Sequence, residues 1–577
     1  MMRTRQGAFT VALGAVVALA AAACSGSGSG GGSTAGSSAT AASKGGTLYI
    51  LNVGPHNGLD PQQSYVGADL EFANRVYARS LTMYTAGEKP ELVPDLATDT
   101  GTMSDGGKTW AFTLKGDAKW QDGKAVTCDD VKYGISRTFA TDVISNGPTY
   151  ILSFLDVPED ADGAPVYKGP YKPSAAGDAA FNKAITCEGE KLTLHFKKPW
   201  ADFNQATASL AAFSAFRKDK DKGANSLFDV FSDGPYMLEG TFDANKGGTW
   251  VRNPSWTGGD DLRKAYPDKI VDVEGLTTEV IFQRLLANGG EDKNAITFSS
   301  APASLLAQIV GTTSAKDRTF NPTAPYVNYL TPNYQSAAMK NPKIRQAFAM
   351  STNKDAYVTA NGGPQVMTPT NAICNPALAC YQDSNPFGAP SAGDPVGAKK
   401  VLTDAGITTP VPITVVYRKT ATADKAYSAL KQTWDQGGFN TTLEGITDKY
   451  YRTISSAASK SKDVFSAGWG ADWPSGSTDI PPLFDGRINI TATSSNQDYG
   501  YFNDDAVNKA IDAAYLISDA AEREKAWGAI DAMIVADGGV VPLVAQKFVF
   551  VAGSNIKNFE INSLLGGYAD FANIAVQ

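Results

Sequence analysis

The first 24 residues constrain this chain most, because they decide in which compartment the rest of it folds. Arg3 and Arg5 precede an apolar run, Val11 to Ala23, and Cys24 follows that run directly. A basic start, an apolar stretch and small residues before a cysteine are typical of a lipoprotein export signal, in which the cysteine thiol receives the lipid. We therefore predict a signal peptide at 1–23, lipidation at Cys24 and a mature chain on the outer face of a bacterial cell membrane.

An ordinary secretory signal is the alternative interpretation, because Ala21 stands where lipoprotein signals favour leucine. A membrane anchor is less favoured, since the apolar run is shorter than the ~20 residues of a spanning helix. Residues 24–44 contain mostly Ser, Gly, Ala and Thr, a composition that predicts a flexible linker.

The remaining body is large, globular and acidic. A chain of 577 residues with 43% hydrophobic and 10% aromatic residues has enough apolar material for two or three lobes. Removal of Arg3 and Arg5 with the signal takes the formal net charge from −8 to −10. Such a charge argues against nucleic acid as a partner, and we expect a monomer that meets the membrane only through its lipid.

Strand and helix patterns alternate along the body, which predicts an α/β fold with helices covering sheets. Residues 45–52 and 411–416 have the apolar runs of buried strands, and 191–196 alternates between apolar and polar residues. Helical spacing is present at 70–84, 129–139 and 341–359. Two further helices are predicted in 505–535, the second beginning at Asp519, three residues before Glu522.

Four cysteines remain after Cys24, and an even number in an exported chain predicts two disulfides. Cys374 and Cys380 enclose a short loop that is easily closed, whereas Cys128 and Cys187 would close a longer one. The connectivity stays open at this stage. Zinc binding by the cysteines is the weaker hypothesis, because no C-x-x-C spacing is present.

Motifs for catalysis are missing from the sequence, and we predict no enzyme, no metal and no cofactor. Gly107-Lys108-Thr109 resembles the end of a phosphate-binding P-loop, but Thr102 stands where its first glycine belongs. No G-x-S-x-G is present, and the only two histidines, His56 and His195, are expected to be surface or packed residues. A hydrolase that uses an unrecognised pair of carboxylates is kept as an alternative.

Several segments together resemble the extracellular solute-binding family of peptide- and nickel-type ABC importers. The longest runs from Leu92 through Asp105-Gly-Gly-Lys-Thr-Trp110 and Trp120 to Phe139. Shorter ones follow in the order of the family: Asp233-Gly-Pro-Tyr-Met-Leu238, Arg252-Asn-Pro254, Lys343-Ile-Arg-Gln-Ala-Phe348, Ala467-Gly-Trp-Gly-Ala-Asp-Trp-Pro474 and Val541-Pro-Leu543. The resemblance spans nearly the whole mature chain.

This resemblance implies a two-lobed α/β fold of the type II periplasmic-binding-protein class, with an extra subdomain inserted in the first lobe. Lobe I is expected at 45–82, 220–322 and 537–577, the insert at 83–219, and lobe II at 323–536. Pairing Cys128 with Cys187 and Cys374 with Cys380 would keep each disulfide within one of these parts.

The resemblance also implies a function, which is capture of oligopeptides or dipeptides in the cleft between the lobes and delivery to an ABC permease with separate ATPase subunits. Asp472 matches the aspartate that pairs with the α-ammonium of the ligand in peptide-binding members. Trp469 and Trp473 flank it, and Tyr65 and Asn333 are expected to face the cleft. The alternative ligands in the same fold are an oligosaccharide or a metal chelate.

Overall fold

The computed structural model describes residues 42–54, 56–87, 90–145, 147–564 and 566–577. Within these ranges the chain forms three larger sheets and four two-stranded pairs, and residues 42–577 belong to one compact unit. Cys24 and the predicted signal and linker up to residue 41 lie outside the described residues. In the described part of the chain, every helix is too short or too polar to cross a membrane.

Lobe I is built on a five-stranded sheet. The strand Thr47–Leu51 runs parallel to its neighbours on both sides, and its alternate residues Leu48 and Ile50 are completely buried. This burial pattern is the one expected of a strand whose inner face meets a core. The strand order is Ala295–Ile296, Thr47–Leu51, Lys269–Val273, Thr249–Arg252, Tyr236–Leu238. The helices of this lobe are Gly67–Val76, Thr278–Ala287 and Leu306–Gly311.

The insert contains a sheet of its own, with the strand order Thr102–Ser104, Thr109–Thr113, Lys191–His195, Ile185–Glu188. Its helices are Cys128–Arg137, Tyr150–Phe154, Ala175–Ala184 and Phe203–Ser209. The first of them begins with a capping box, in which the side chains of Thr127 and Asp130 each accept the main-chain N–H of the other. Cys128, which follows Thr127, forms a disulfide bond with Cys187 of the sheet.

Lobe II is built on a six-stranded mixed sheet with the order Met367–Pro369, Val541–Lys547, Thr323–Pro332, Val464–Gly470, Val411–Arg418, Phe439–Ile446. Its helices are Pro342–Met350, Lys354–Ala360, Pro395–Asp404, Ala421–Gln436, Tyr450–Ile454, Ile480–Phe484, Gly486–Asn489, Asp505–Tyr515 and Ala520–Ala536. The predicted start of the last helix is confirmed, because the Asp519 side chain accepts the N–H of Glu522. The second disulfide joins Cys374 to Cys380.

One strand differs from the expected domain boundaries. Val541–Lys547 was placed in lobe I with the rest of 537–577, but it pairs antiparallel with both Thr323–Pro332 and Met367–Pro369. Its main-chain hydrogen bonds therefore make it part of the lobe II sheet. The chain passes between the lobes just beyond these strands, where Phe320 pairs with Phe550 on the lobe I side.

The helix predicted at 70–84 ends early, at Val76. The main-chain N–H of Arg79 donates to the Asp233 carboxylate, and that of Ser80 donates to Asp95. The chain then continues as the short strand Thr82–Tyr84, which pairs with Leu92–Pro94. In a longer helix these two N–H groups would donate to main-chain carbonyls of the preceding turn. Here they donate to carboxylates from other parts of the fold, so tertiary contacts override the helical spacing of the sequence. The other two-stranded pairs are Thr319–Phe320 with Phe550–Val551, Ile556–Lys557 with Ala575–Val576, and Ile561–Asn562 with Tyr568–Ala569.

Candidate ligand-binding site

A cavity of about 600 Å³ lies between the two lobes. Lobe I contributes Tyr65, Gly67, Leu70 and the chain near Leu564, and the insert contributes Ser209. Lobe II contributes the end of the strand Val464–Gly470 with the residues that follow it. Five tyrosines of lobe II also line the cavity, namely Tyr326, Tyr357, Tyr427, Tyr450 and Tyr451. The volume lies in the range of roughly 300–1,000 Å³ that is typical of small-molecule sites.

Asp472 lies in this cavity, two residues after the strand ends. Its Oδ2 accepts a hydrogen bond of 2.8 Å from the Tyr65 hydroxyl, and a second from the Tyr150 hydroxyl. Its main-chain N–H donates to the Thr478 hydroxyl at 3.2 Å. Donors from lobe I and from the insert thus meet a single carboxylate oxygen of lobe II. No donor among the described residues reaches the other oxygen, Oδ1.

The Asp472 carboxylate has no positive partner in the described part of the chain. Burial raises the pKa of Asp472 from 3.8 to about 6, although the hydrogen bonds from Tyr150 and Tyr65 act in the opposite direction. Burial also raises the pKa of the Tyr65 and Tyr150 hydroxyls, and the charge of Asp472 adds to this effect. Both tyrosines therefore remain hydrogen-bond donors at neutral pH. A carboxylate that is partly removed from water and has no counter-charge is costly, and a cationic group of a ligand would lower that cost.

The two tryptophans beside Asp472 have different surroundings. Trp469 is half-buried and lines the cavity, and its indole N–H donates to the Thr478 carbonyl at 2.8 Å. Trp473 is only 3% exposed and packs edge-on against Tyr150, with ring centroids 4.9 Å apart. Its indole N–H donates to the Asp202 carboxylate at 2.8 Å, so Trp473 joins lobe II to the core of the insert and does not line the cavity.

Tyr65 and Asn333 also differ in position. Tyr65 lines the cavity and is 39% exposed. Asn333 is completely buried, and its side-chain amide donates to the carbonyls of Lys460 and Lys462 at 3.0 and 2.6 Å. These bonds fix the turn before the strand Val464–Gly470 and occupy the amide. Asn333 therefore lies outside the cavity, contrary to the expectation that it faces the cleft.

Sequence reasoning did not find Arg418, which lines the cavity at the end of the strand Val411–Arg418. Its side chain is exposed, and no carboxylate among the described residues pairs with its guanidinium. Sequence reasoning also did not find Tyr150, which is 322 positions from Asp472 in sequence. The available signal for Arg418 was its place two residues after a predicted buried strand, whereas no local pattern indicates Tyr150.

Comparison with known proteins identifies the family. Residues 91–491 match the model described as "Bacterial extracellular solute-binding proteins, family 5 Middle". The chain belongs to this family. Its members are extracellular binding proteins, and the predicted membership in the solute-binding family is confirmed.

Individual relatives match over most of their length. The glutathione-binding protein GsiB of Salmonella choleraesuis strain SC-B67 is 23% identical over 512 residues, which cover 84% of this chain and 87% of the relative. The structure of a clavulanic acid biosynthesis oligopeptide binding protein 2 matches with a TM-score of 0.83 at 25% identity, covering 92% of this chain and 96% of the other. The murein tripeptide binding protein MppA of Escherichia coli matches with a TM-score of 0.68 at 19% identity, covering 93% and 99%. The predicted type II periplasmic-binding-protein fold is confirmed.

Proposed function

We propose that this family member captures short peptides with a free α-ammonium group between its lobes and delivers them to an ABC permease. The observation that carries the proposal is the half-buried Asp472 carboxylate, which lines the cavity and has one oxygen without a donor and no cationic partner among the described residues. A ligand ammonium at Oδ1 would form a charge-assisted hydrogen bond. The named ligands of the relatives, which are glutathione, oligopeptides and a murein tripeptide, all carry such a group.

The main chain of a peptide would find partners on the strand that leads to Asp472. Val464–Gly470 pairs along its whole length with Thr323–Pro332, but its other edge pairs with Val411–Arg418 only at Val464 and Phe465. Beyond Phe465 no strand among the described residues covers that edge. An extended peptide can add to an open edge by main-chain hydrogen bonds, which makes affinity tolerant of side-chain identity.

Arg418 is suited to the carboxylate end of such a ligand. Continuing the parallel register places Arg418 beside Ala467, five residues before Asp472. At about 3.3 Å per residue this separation is roughly 16 Å, from which the reach of the arginine side chain must be subtracted. A peptide of roughly two to four residues would span the remaining distance at about 3.5 Å per residue.

Contacts between lobe II and the other two parts of the fold would couple ligand capture to docking on the permease. Tyr65, Tyr150 and Asp202 of lobe I and the insert bond to Asp472 and Trp473 of lobe II. Hinge closure around a ligand would form these contacts, and the closed surface would dock on the permease. The lipid on Cys24 would keep a monomer near the permease and its separate ATPase subunits.

Thermal shift and calorimetry with matched peptides test this proposal. We expect di-, tri- and tetrapeptides, or glutathione, to raise the melting temperature, and N-acetylation to weaken binding at least tenfold. The recovered peptide should be intact by mass spectrometry. Stabilisation by an oligosaccharide or metal chelate but by no peptide would contradict the peptide assignment, and cleaved peptide would favour the hydrolase.

Asp472→Asn should weaken binding of free peptides and have little effect on acetylated ones. Asp448→Asn is the matched control, because Asp448 is an exposed aspartate that does not line the cavity. Equal loss of affinity for free and acetylated peptides in Asp472→Asn would show that Asp472 does not recognise the ammonium.

A further inference from the structure

Three polar side chains converge inside lobe I, on residues that do not line the cavity between the lobes. His56 follows the strand Thr47–Leu51, Asp272 lies in the strand Lys269–Val273, and Glu274 comes directly after it. One nitrogen or oxygen from each of them lies within 4.8 Å of the other two. Their exposed fractions are 4%, 2% and 7%, so all three are removed from solvent.

Each of these three side chains has one buried polar atom without a hydrogen-bond partner among the described residues. His56 Nε2, Asp272 Oδ1 and Glu274 Oε2 are each buried and unpaired. The distance from Nε2 to Asp272 Oδ1 is 3.7 Å, which is too long for a hydrogen bond. Buried polar atoms are nearly always paired, so three unpaired atoms on side chains this close together point to a partner that could contact all of them.

The imidazole of His56 is held from its other side. Its Nδ1 lies 2.7 Å from Asp69 Oδ1, and Asp69 Oδ2 in turn accepts the main-chain N–H of Asn57. With one proton, on Nδ1 and donated to Asp69, the imidazole would keep a lone pair on Nε2, which lies 3.7 Å from Asp272 Oδ1. Metal-bound histidines commonly have this carboxylate–histidine arrangement, which fixes the tautomer and the ring orientation.

The two carboxylates are held in the same way, each through the oxygen that has a hydrogen-bond partner. Asp272 Oδ2 accepts the indole N–H of Trp250 at 2.7 Å. Glu274 Oε1 accepts the side-chain amide of Asn52 at 3.1 Å. Each of the three groups therefore has one atom held by a neighbour and one buried atom without a partner among the described residues.

We propose that His56, Asp272 and Glu274 bind a divalent transition-metal cation, for which Zn²⁺ is the best match. One imidazole nitrogen with two carboxylate oxygens is a donor set that suits Zn²⁺, and the two negative charges balance the ion. Tetrahedral Zn²⁺ at about 2.1 Å would place its ligands about 3.4 Å apart. Side-chain shifts of about an ångström would bring the observed atoms to that spacing.

The competing occupant is a proton on His56 Nε2, which would make an imidazolium between Asp69 and Asp272. That proton would supply a positive charge, but at 3.7 Å it would form no hydrogen bond to Asp272, and it would leave Glu274 Oε2 unpaired. A metal ion satisfies all three atoms. Bound there, it would tie His56 and the residues leading to Tyr65 to the central strand of the lobe I sheet.

Metal analysis of the purified full chain tests this proposal. After removal of metal with EDTA and addition of Zn²⁺, we expect one tightly bound Zn²⁺ per chain and an increase of a few degrees in melting temperature. His56→Gln should bind no Zn²⁺, whereas His195→Gln, which changes the only other histidine, should bind it like the parent chain. Circular dichroism checks that both variants fold.

Nitrogen NMR of the two imidazoles keeps the proposal testable if His56→Gln does not fold. Zn²⁺ should shift the Nε2 signal of His56 and leave the signals of His195 unchanged. Absence of stoichiometric Zn²⁺, retention of Zn²⁺ by folded His56→Gln, or a His56 imidazole protonated on both nitrogens in excess Zn²⁺ would each overturn the proposal. Mn²⁺ and Ca²⁺ titrations measure the metal preference.

Discussion

The Asp472 carboxylate should oppose closure of the lobes in the absence of ligand, and Asp472→Asn should remove that opposition. When the lobes meet, the carboxylate is partly removed from water between Tyr65 and Tyr150, and its pKa rises from 3.8 to about 6. In an open form the carboxylate would return to water and to a pKa near its ordinary value. The difference corresponds to about 3 kcal/mol, or roughly a hundredfold in the ratio of closed to open protein.

Because closure raises the pKa of Asp472, the ratio of closed to open protein should depend on pH. Because the pKa is higher in the closed form, closure is favoured most below about pH 4 and loses that advantage as the pH rises through 6. At pH 7.5 the ionised carboxylate bears the full cost, unless a ligand ammonium pairs with it. Asparagine at 472 stays neutral, and its carbonyl oxygen can still accept from both tyrosines.

Small-angle scattering, or energy transfer between dyes on the two lobes, measures closure without ligand. We expect the parent chain to be more closed at pH 4.5 than at pH 7.5, and Asp472→Asn to be closed to a similar extent at both. Asp479 is a neighbour whose pKa is raised by burial and also by the charge of Asp472, so the test is the difference in pH dependence between the two proteins. A parent chain insensitive to pH, with a lobe distance equal to that of Asp472→Asn at pH 7.5, would refute this reasoning.

Three further sets of substitutions test, in turn, recognition of the ligand carboxylate, contact between the lobes and stabilisation by a disulfide. Arg418→Gln should weaken binding of peptides with a free carboxylate by ~1.5–3 kcal/mol in calorimetry and leave amidated peptides unaffected. Trp473→Phe removes the donor to Asp202, so it should weaken all ligands by a similar factor, about 1–3 kcal/mol, whichever end is blocked. Replacing Cys128 and Cys187 by alanine opens a loop with a sequence separation of 59 and should lower the free energy of unfolding by about 4 kcal/mol in denaturant titrations.

The fold was predictable where local pattern and burial agree. Leu192 and Leu194 alternate with polar residues, and the structure buries both of them in a strand. The spacing of Asp519 and Glu522 correctly marked the start of a helix. The predicted helix at 341–359 is instead two helices, because the Asn353 side chain accepts the N–H of Ala356 and begins the second one.

The candidate site was predictable only for residues within one segment. Asp472 and Trp469 lie together in a short motif, but the same motif gives no sign that Trp473 turns away into the insert. Tyr150 comes from a different part of the fold, and its contact with Asp472 depends on how the parts of the chain pack. A lone histidine such as His56 gave no signal either, because its carboxylate neighbours are distant in sequence.

Recognition of the ligand ammonium by Asp472 should depend on closure of the lobes. Asp472 is the acceptor and belongs to lobe II, whereas the two hydroxyls that hold its Oδ2 belong to lobe I and the insert. An open form would separate them, and Oδ1 and Oδ2 would be equally hydrated. The proposed ammonium site, with one oxygen occupied and the other free, therefore exists only when the lobes meet. A ligand that uses it must favour the closed form, and that preference is what shifts the equilibrium toward closure.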